Sequence, residues 1–362
     1  MEKRPARRVI GPDGFAHSAL GKAARPEGFA CSFLGKPPAR AFCQVLASAL
    51  LPSGNASLWA ILARFDFKGS KEHAMPTKEQ RQADAQKHVS LAKGVFASDI
   101  AKTIETAVLY EDGEGRDLET PDARFETTKI EVKRIDAAEA VSSAKGKACV
   151  LDFASYRQPG GGYMNGGWAQ EEALCAESNL FPILEGLRDV YYEPNRQTMR
   201  GGLYSDRALY LTDVIFTTGG GMKKRDVIVC AAVNRRFALK NHRSEPECDI
   251  DMMHRVRTVM HIAAAHEVDT LVLGAFGCGI FGNDPVKVAR MFDDWLKAHP
   301  GQFENVVFAI PGGPNFDAFY AEFPTDEPKQ ADTPAAHDPD YDEEDDDWRF
   351  DLNESNGRWV FE

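Results

Sequence analysis

Short apolar runs that alternate with longer amphipathic stretches constrain the fold of this chain more than any other sequence feature. The runs have the length of buried strands, and the stretches between them have helical spacing. Strands and helices that alternate in this way form a parallel or mixed sheet covered on both faces. We therefore expect one α/β domain over residues 75–323, with a helical N-terminal part that starts at Thr77. The predicted strands are 128–135, 148–153, 208–217, 226–232, 270–276 and 305–310, and the predicted helices are 136–144, 170–187, 249–266 and 284–299.

Both ends of the chain differ in composition from this domain. Up to Ser70 there are ten basic and four acidic residues with little periodicity, so we expect 1–74 to be a poorly ordered or non-native extension. An organelle transit peptide is the alternative, since such peptides are rich in Arg and poor in acids. From Asp326 onwards, fourteen acidic residues against three basic ones account for −11 of the net charge of −12. Such a run does not pack, and 324–362 is predicted to be an acidic disordered tail.

Composition also excludes several classes of protein. The domain itself is close to neutral, so it lacks the basic field that supports nonspecific nucleic-acid binding. No apolar run is long enough to cross a membrane. The seven cysteines are scattered without a CxxC pair and the nine histidines show no HExxH pattern, so we expect no metal, no cofactor and a reducing cytoplasmic setting. The chain is expected to act as a monomer.

A glycine turn follows the first strongly apolar strand. Residues 148–153 run into Pro159 and then three consecutive glycines, and a helical stretch opens with Gln-Glu-Glu at 170–172. Ligands of parallel α/β sheets bind beyond the carboxyl ends of the strands, where glycines allow the backbone to approach closely and helix N-termini attract anions. A plain loop with acids that stabilise the helix dipole is the alternative. Adjacent helical residues are ~100° apart, so we expect the two glutamates to point in different directions.

A second glycine-rich loop lies in the stretch 271–289. A strand, three glycines within six residues and a helix start follow one another directly, and Asp284 with Pro285 is suited to capping that helix. Such a loop can wrap around an anion.

The stretch from Val150 to Leu184 resembles the signature of the bacterial-type (microbial) poly(ADP-ribose) glycohydrolases, in which Gln-Glu-Glu follows a triple glycine after a short spacer. The spacer here is the seven residues from Tyr163 to Ala169. The second glycine loop looks like the diphosphate loop of macrodomains, the fold of this family. The blocks 191–195, 203–217 and 229–234 are also similar, so the resemblance covers about 75–320. It implies a macrodomain-like, three-layer α/β/α fold with a mixed, mostly parallel sheet.

The resemblance implies hydrolysis of the ribose–ribose O-glycosidic bond of poly(ADP-ribose), with release of ADP-ribose. Glu172 would be the general acid, and Glu171 would bind or orient the ribose. The partner would be poly(ADP-ribose) or an ADP-ribosylated protein, with nucleic acid only as a modified substrate. Asp152 stands where the family usually has Asn. The other residues implied at the substrate are Gly160, Gly161, Gly162, Asn165, Gln170, Gly277, Cys278, Gly279, Ile280, Phe281, Gly282 and Asn283.

Three other functions compete with this interpretation. A macrodomain that binds ADP-ribose without cleaving it needs the glycine loops but not the paired glutamates. A hydrolase that removes single ADP-ribose units from protein or nucleic acid has the same sequence requirements as the polymer enzyme. An NAD-dependent oxidoreductase of the Rossmann type needs GxGxxG directly after its first strand, which this chain lacks.

Overall fold

The structure, a computed structural model, describes residues 8–9, 76–218 and 221–324. The predictions for the N-terminal extension and for the acidic tail therefore fall almost wholly outside the described residues. The exceptions are Pro324 and Arg8–Val9, and the latter is a two-residue strand that pairs with Leu109 and Val108. Within the described ranges, no helix is both long enough and apolar enough to cross a membrane.

The described strands form one mixed sheet. They are β1 Arg8–Val9, β2 Val108–Tyr110, β3 Lys129–Lys133, β4 Ala148–Phe153, β5 Ala208–Phe216, β6 Lys223–Cys230, β7 Thr270–Leu273 and β8 Asn305–Ala309. Their order in the sheet is β1-β2-β5-β6-β4-β7-β8-β3. The five strands from β6 to β3 are parallel to one another, and β1, β2 and β5 extend the sheet antiparallel at one side. The mixed, mostly parallel sheet predicted from the sequence is confirmed.

Helices cover both faces of this sheet, which gives the expected three layers. The helices are α1 Lys78–Val95, α2 Ala97–Thr106, α3 Ala137–Ser143, α4 Gln170–Ala176, α5 Leu180–Gly186, α6 Glu193–Arg196, α7 Arg235–Lys240, α8 Glu245–Ala265, α9 Pro285–Ala298 and α10 Gly313–Glu322. Alternate residues of β4 divide between two cores: Cys149 and Leu151 pack with α8 and α9, whereas Ala148 and Val150 pack with α1 to α5.

Helix starts follow local capping chemistry. Thr77 caps α1, where its hydroxyl accepts from the Gln80 N–H and its own N–H donates to the Gln80 side chain, so the predicted start is confirmed. The same capping box at Ser244 starts α8 four residues earlier than predicted. Asp284 caps α9 as expected, since its carboxylate accepts from the Val286 N–H at 2.9 Å.

The predicted helix 170–187 is wrong as a single element, because the structure has two helices there. Between them Ser178 forms a bridge to Phe216 of β5. Asn179 then pairs twice with Ile215: its N–H donates to the Ile215 carbonyl at 3.1 Å, and its side-chain oxygen accepts from the Ile215 N–H at 2.8 Å. These contacts to the sheet end the first helix after Glu177, whose N–H still donates to the Ala173 carbonyl.

Candidate active site

Two glycine-rich loops meet at one edge of the sheet. Because β4 and β7 are adjacent and parallel, their carboxyl ends at Phe153 and Leu273 lie side by side, and the loops 154–162 and 274–283 leave from there. The rings of Phe153 and Phe276 are 5.3 Å apart between centroids, which joins the two loops at their base. This is the edge at which α/β folds bind ligands.

The triple glycine makes room for two carboxylates of the protein itself. At Gly161, φ is +54°, and a Cβ would lie 2.6 Å from Glu172 Oε1 and 2.9 Å from Glu171 Oε2. Any side chain there would collide with both carboxylates. The N–H of Gly162 donates to Glu172 Oε1 at 2.7 Å, so the glycine turn also binds one of the groups that it accommodates.

Backbone N–H groups hold both glutamates. Glu171 Oε2 accepts from Ser155 at 2.7 Å, and Glu172 Oε2 accepts from Ala169 at 3.0 Å. Both side chains are buried. The expectation that these neighbours would point apart is wrong, because both carboxylates reach Gly161. The loop wraps around the first turn of α4, and its N–H groups hydrogen-bond the ends of both glutamate side chains.

Asp152 lies beneath this pair. Its side chain is fully buried, on the face of β4 that α4 covers, and neither carboxylate oxygen has a hydrogen-bond partner among the described residues. Burial and then the neighbouring Glu172 raise the pKa of Asp152 well above its usual range. Burial and then the two acidic neighbours, Asp152 and Glu172, likewise raise the pKa of Glu171. Contact of Asp152 with substrate stays a prediction.

Gln170 connects helix to strand. Its side-chain N–H donates to the Leu151 carbonyl at 2.8 Å, and its side-chain oxygen accepts from the Phe153 N–H at 2.9 Å. Both polar ends of this amide therefore bind the backbone of β4, and this anchors the first turn of α4 next to the strand end. The proposed contact of Gln170 with substrate stays a prediction.

Helix α1 supports the glycine loop from behind. Arg81 Nε donates to the Gly166 carbonyl at 2.7 Å, and His88 Nδ1 lies 2.8 Å from the Tyr163 hydroxyl. Burial lowers the pKa of His88 to about 4, so its ring is neutral at physiological pH. The sequence carries no signal for these contacts, because His88 and Tyr163 are 75 residues apart.

The second loop is closed by an asparagine and open at one glycine. Asn283 Nδ2 donates to the carbonyls of Val233 at 2.8 Å and Gly277 at 3.0 Å. A Cβ at Gly277 would lie 2.7 Å from that nitrogen, so this position is filled by the protein. A Cβ at Gly279, by contrast, would meet nothing within 4 Å. The exposed backbone at Gly279 is thus accessible to a ligand.

The other predicted residues of the second loop are placed as follows. Phe281 is half-buried against Tyr204, with ring centroids 6.3 Å apart, and Tyr204 stacks on Tyr156. Cys278 is partly buried, and burial raises the pKa of its thiol to about 12. Ile280 is partly exposed, as is Gly282 beside Arg236.

In the first loop, Asn165 is exposed on the single turn Tyr163–Asn165. No group of three metal-ligating side chains occurs in the part of the chain that the structure describes.

A buried pair of carboxylates beside an open glycine loop, at the carboxyl edge of a mixed sheet, supplies the groups that a carboxylate-based glycosidase needs. The family comparison identifies which one. Residues 74–218 match the model of the microbial-type PARG catalytic domain. A solved poly(ADP-ribose) glycohydrolase is 30% identical to this chain and is matched over its whole length. The chain therefore belongs to the microbial-type poly(ADP-ribose) glycohydrolase family.

Solved structures agree with this assignment. The poly(ADP-ribose) glycohydrolase of Thermomonospora curvata is 30% identical with a TM-score of 0.61, over 68% of this chain and 100% of the other. The same enzyme bound to the inhibitor ADP-HPD gives a TM-score of 0.59, with the same identity and coverage. The Deinococcus radiodurans enzyme in complex with ADP-ribose is 31% identical with a TM-score of 0.55, over 62% of this chain and 97% of the other. A search of curated proteins gave no significant match.

Proposed function

We propose that this chain hydrolyses the ribose–ribose O-glycosidic bond of poly(ADP-ribose) and releases ADP-ribose, with Glu172 as the general acid. One observation carries the assignment of the residues: both glutamates are buried against Gly161, at the carboxyl end of a central strand. A reader domain would need no second carboxylate at this position.

Glu172 supplies the proton in the bond-breaking step. The bond between the anomeric carbon and the departing oxygen breaks, the electron pair goes to that oxygen, and the oxygen takes the proton of Glu172. The sugar passes through an oxocarbenium-like state, and water then adds to the anomeric carbon and returns a proton to Glu172. The N–H groups of Gly162 and Ala169 fix the carboxyl group in one orientation.

Glu171 and the second loop position the substrate. Glu171, held by Ser155, accepts hydrogen bonds from ribose hydroxyls. The loop around Gly279 binds the diphosphate through its backbone, and the half-buried ring of Phe281 packs against the adjoining ribose. A diphosphate close to the anomeric carbon also stabilises the positive charge that develops there.

Incubation with poly(ADP-ribose), followed by chromatography of the products, tests the proposal. The wild-type chain should release ADP-ribose, and Glu172→Gln should release none while it still binds polymer. Glu185→Gln, which changes an exposed glutamate paired with Lys93, is the matched control and should behave as wild type. Release of ADP-ribose only from singly modified protein would instead favour the mono-ADP-ribose hydrolase, and binding without product would favour the reader.

We further infer that the domain is a macrodomain and that the chain acts as a monomer in a reducing, cytoplasmic setting. The five cysteines in the described ranges are free thiols, and four of them are buried. Light scattering coupled to size-exclusion chromatography should give the mass of a single chain, whereas a dimer mass would overturn this part of the proposal.

A further inference from the structure

The two backbone donors of Glu172 lie at the two ends of one short segment. Gly162 donates to Oε1 at 2.7 Å from directly before the spacer 163–169, and Ala169, the last residue of that spacer, donates to Oε2 at 3.0 Å. The carboxyl group therefore keeps its orientation only while both ends of the spacer stay in place. The contacts that hold the spacer thus also set the direction of the Glu172 side chain.

The first half of the spacer folds back on Gly162. The N–H groups of Asn165 and Gly167 both donate to the Gly162 carbonyl at 2.9 Å. Gly166 between them has a φ of +76°, in the left-handed region that favours glycine. This turn therefore forms one unit with Gly162, the residue whose N–H binds Glu172.

Helix α1 holds this turn at Gly166. The side chain of Arg81 is buried, and its guanidinium group spans two backbone carbonyls: Nε donates to Gly166 and Nη1 donates to Pro76, each at 2.7 Å. Hydrogen bonds from a charged donor are stronger than neutral ones, and the planar guanidinium group is suited to bridging two acceptors. The backbone of α1 also abuts the turn, since a Cβ at Gly166 would collide with the Lys78 carbonyl oxygen. Arg81 thus binds the spacer between the two donors of Glu172.

We propose that Arg81 is a positioning residue for Glu172 and acts through the Gly166 carbonyl. By fixing the spacer, this hydrogen bond keeps the two backbone donors at the separation that the carboxyl group requires. The inference rests on the proposed function of the site, in which Glu172 is the general acid. A substitution far from the reacting atoms that displaces them by 1 Å can lower the rate by about 100-fold.

The groups proposed to bind substrate have other supports. Glu171 is held by the N–H of Ser155, which lies ahead of the triple glycine, on the far side of the turn from the spacer. The loop around Gly279 leaves from a different strand, β7. Loss of the Arg81 contact should therefore lower kcat and leave KM close to that of wild type.

Steady-state kinetics on poly(ADP-ribose) test this role. Arg81→Met keeps an unbranched side chain of high helix propensity but removes the donors, so we expect kcat to fall by about 10- to 100-fold at an unchanged KM. Arg81→Lys keeps a charged donor, and its kcat should lie between those of Arg81→Met and wild type. If the Met variant does not fold, the Lys variant carries the same test, with a kcat below wild type at an unchanged KM.

Arg225→Met is the matched control. Arg225 also binds backbone carbonyls, those of Val141, Ser142 and Ala144, but it lies near the amino end of β6, away from the site. This variant should lower the temperature of thermal unfolding and leave kcat unchanged. A wild-type kcat in Arg81→Met, equal kcat losses in the two Met variants, or a change confined to KM would overturn the proposal.

Hydrogen exchange without substrate tests the same inference independently of catalysis. In Arg81→Met the amides of Gly162 and Ala169 should exchange about 10-fold faster than in wild type, whereas the amide of Ser155 should not change. Unchanged exchange at Gly162 and Ala169 would overturn the proposal. If these two amides respond while the wild-type protein cleaves no polymer, the proposed function fails and the support of the Glu172 donors by Arg81 stands.

Discussion

The two glycine-rich loops lie at the same edge of the sheet but use their glycines in different ways. In the first loop, the space where a Cβ would lie at Gly161 holds Glu171 and Glu172. In the second loop, the space where a Cβ would lie at Gly277 is occupied by Asn283 and Ala232. The corresponding space at Gly279 is empty. The first loop is therefore built around two carboxylates of the protein itself, and the second leaves its backbone accessible.

Under the proposed function, this difference separates the groups that carry out the chemistry from those that bind the ligand. Carboxylates that are enclosed by N–H donors keep a fixed geometry before substrate arrives, which is a requirement for efficient proton transfer. An open stretch of backbone can instead adapt to a diphosphate and contribute affinity. We expect substitutions in the first loop to lower kcat and substitutions at Gly279 to raise KM.

Gly161→Ala should have the largest effect of the glycine substitutions. Its Cβ would collide with both carboxylates. Holding alanine in the left-handed backbone conformation of this position would cost a further ~1–2 kcal/mol. We expect kcat to fall by about 100-fold, since a displacement of 1 Å at the reacting groups has a cost of that size. Steady-state kinetics and thermal unfolding measure both effects. Gly94→Ala, a glycine with no neighbour within 4 Å, is the control, and equal losses in the two variants would contradict the comparison.

Gly277→Ala and Gly279→Ala should separate stability from affinity within the second loop. A Cβ at Gly277 would lie 2.6 Å from Ala232 Cβ, and φ there is +70°, so we expect a loss of about 1–3 kcal/mol in the free energy of unfolding. Gly279→Ala should unfold like wild type but raise KM. Denaturant unfolding and steady-state kinetics on both variants test this. An unchanged KM for Gly279→Ala would show that the backbone at Gly279 does not bind the substrate.

At neutral pH, His88→Gln should have the smallest effect of these substitutions, because it mainly changes how stability depends on pH. The pKa of His88 is about 4 in the folded protein against about 6.5 when unfolded, so the unfolded chain binds the additional proton. Wild-type stability should therefore decrease as pH falls from about 6.5 to 4, by roughly 3 kcal/mol at most from this group. The Gln variant should lose less over that interval in thermal unfolding, and an identical pH profile would show that His88 is not buried neutral.

Local sequence signals predicted both loops. A strand, a glycine run and a helix start follow one another within about 25 residues in each case. It is the resemblance to the glycohydrolase family that then implies the roles of Glu171, Glu172 and Gly279. Long-range contacts were not predictable. The support of Tyr163 by His88 depends on how α1 packs, and the break after α4 depends on the pairing of Asn179 with Ile215. Helical periodicity carries no information on either contact.

The convergence of Glu171 and Glu172 on Gly161 was missed for a different reason. Helical geometry fixes the directions of the Cβ atoms but not those of the carboxylates three bonds further on. The positions of the carboxylates are set by the hydrogen-bond donors of the surrounding loop. These donors are the N–H groups of Ser155, Gly162 and Ala169.

A direct comparison of Glu172→Gln with Glu171→Gln tests the central claim, that Glu172 is the proton donor. Single-turnover cleavage of labelled poly(ADP-ribose) and polymer affinity should be measured for both variants and for wild type. We expect Glu172→Gln to bind polymer as tightly as wild type and to cleave it at least 100-fold more slowly, a typical loss for a general acid. Glu171→Gln should lose affinity as well as rate. Cleavage by Glu172→Gln at the wild-type rate would contradict the account.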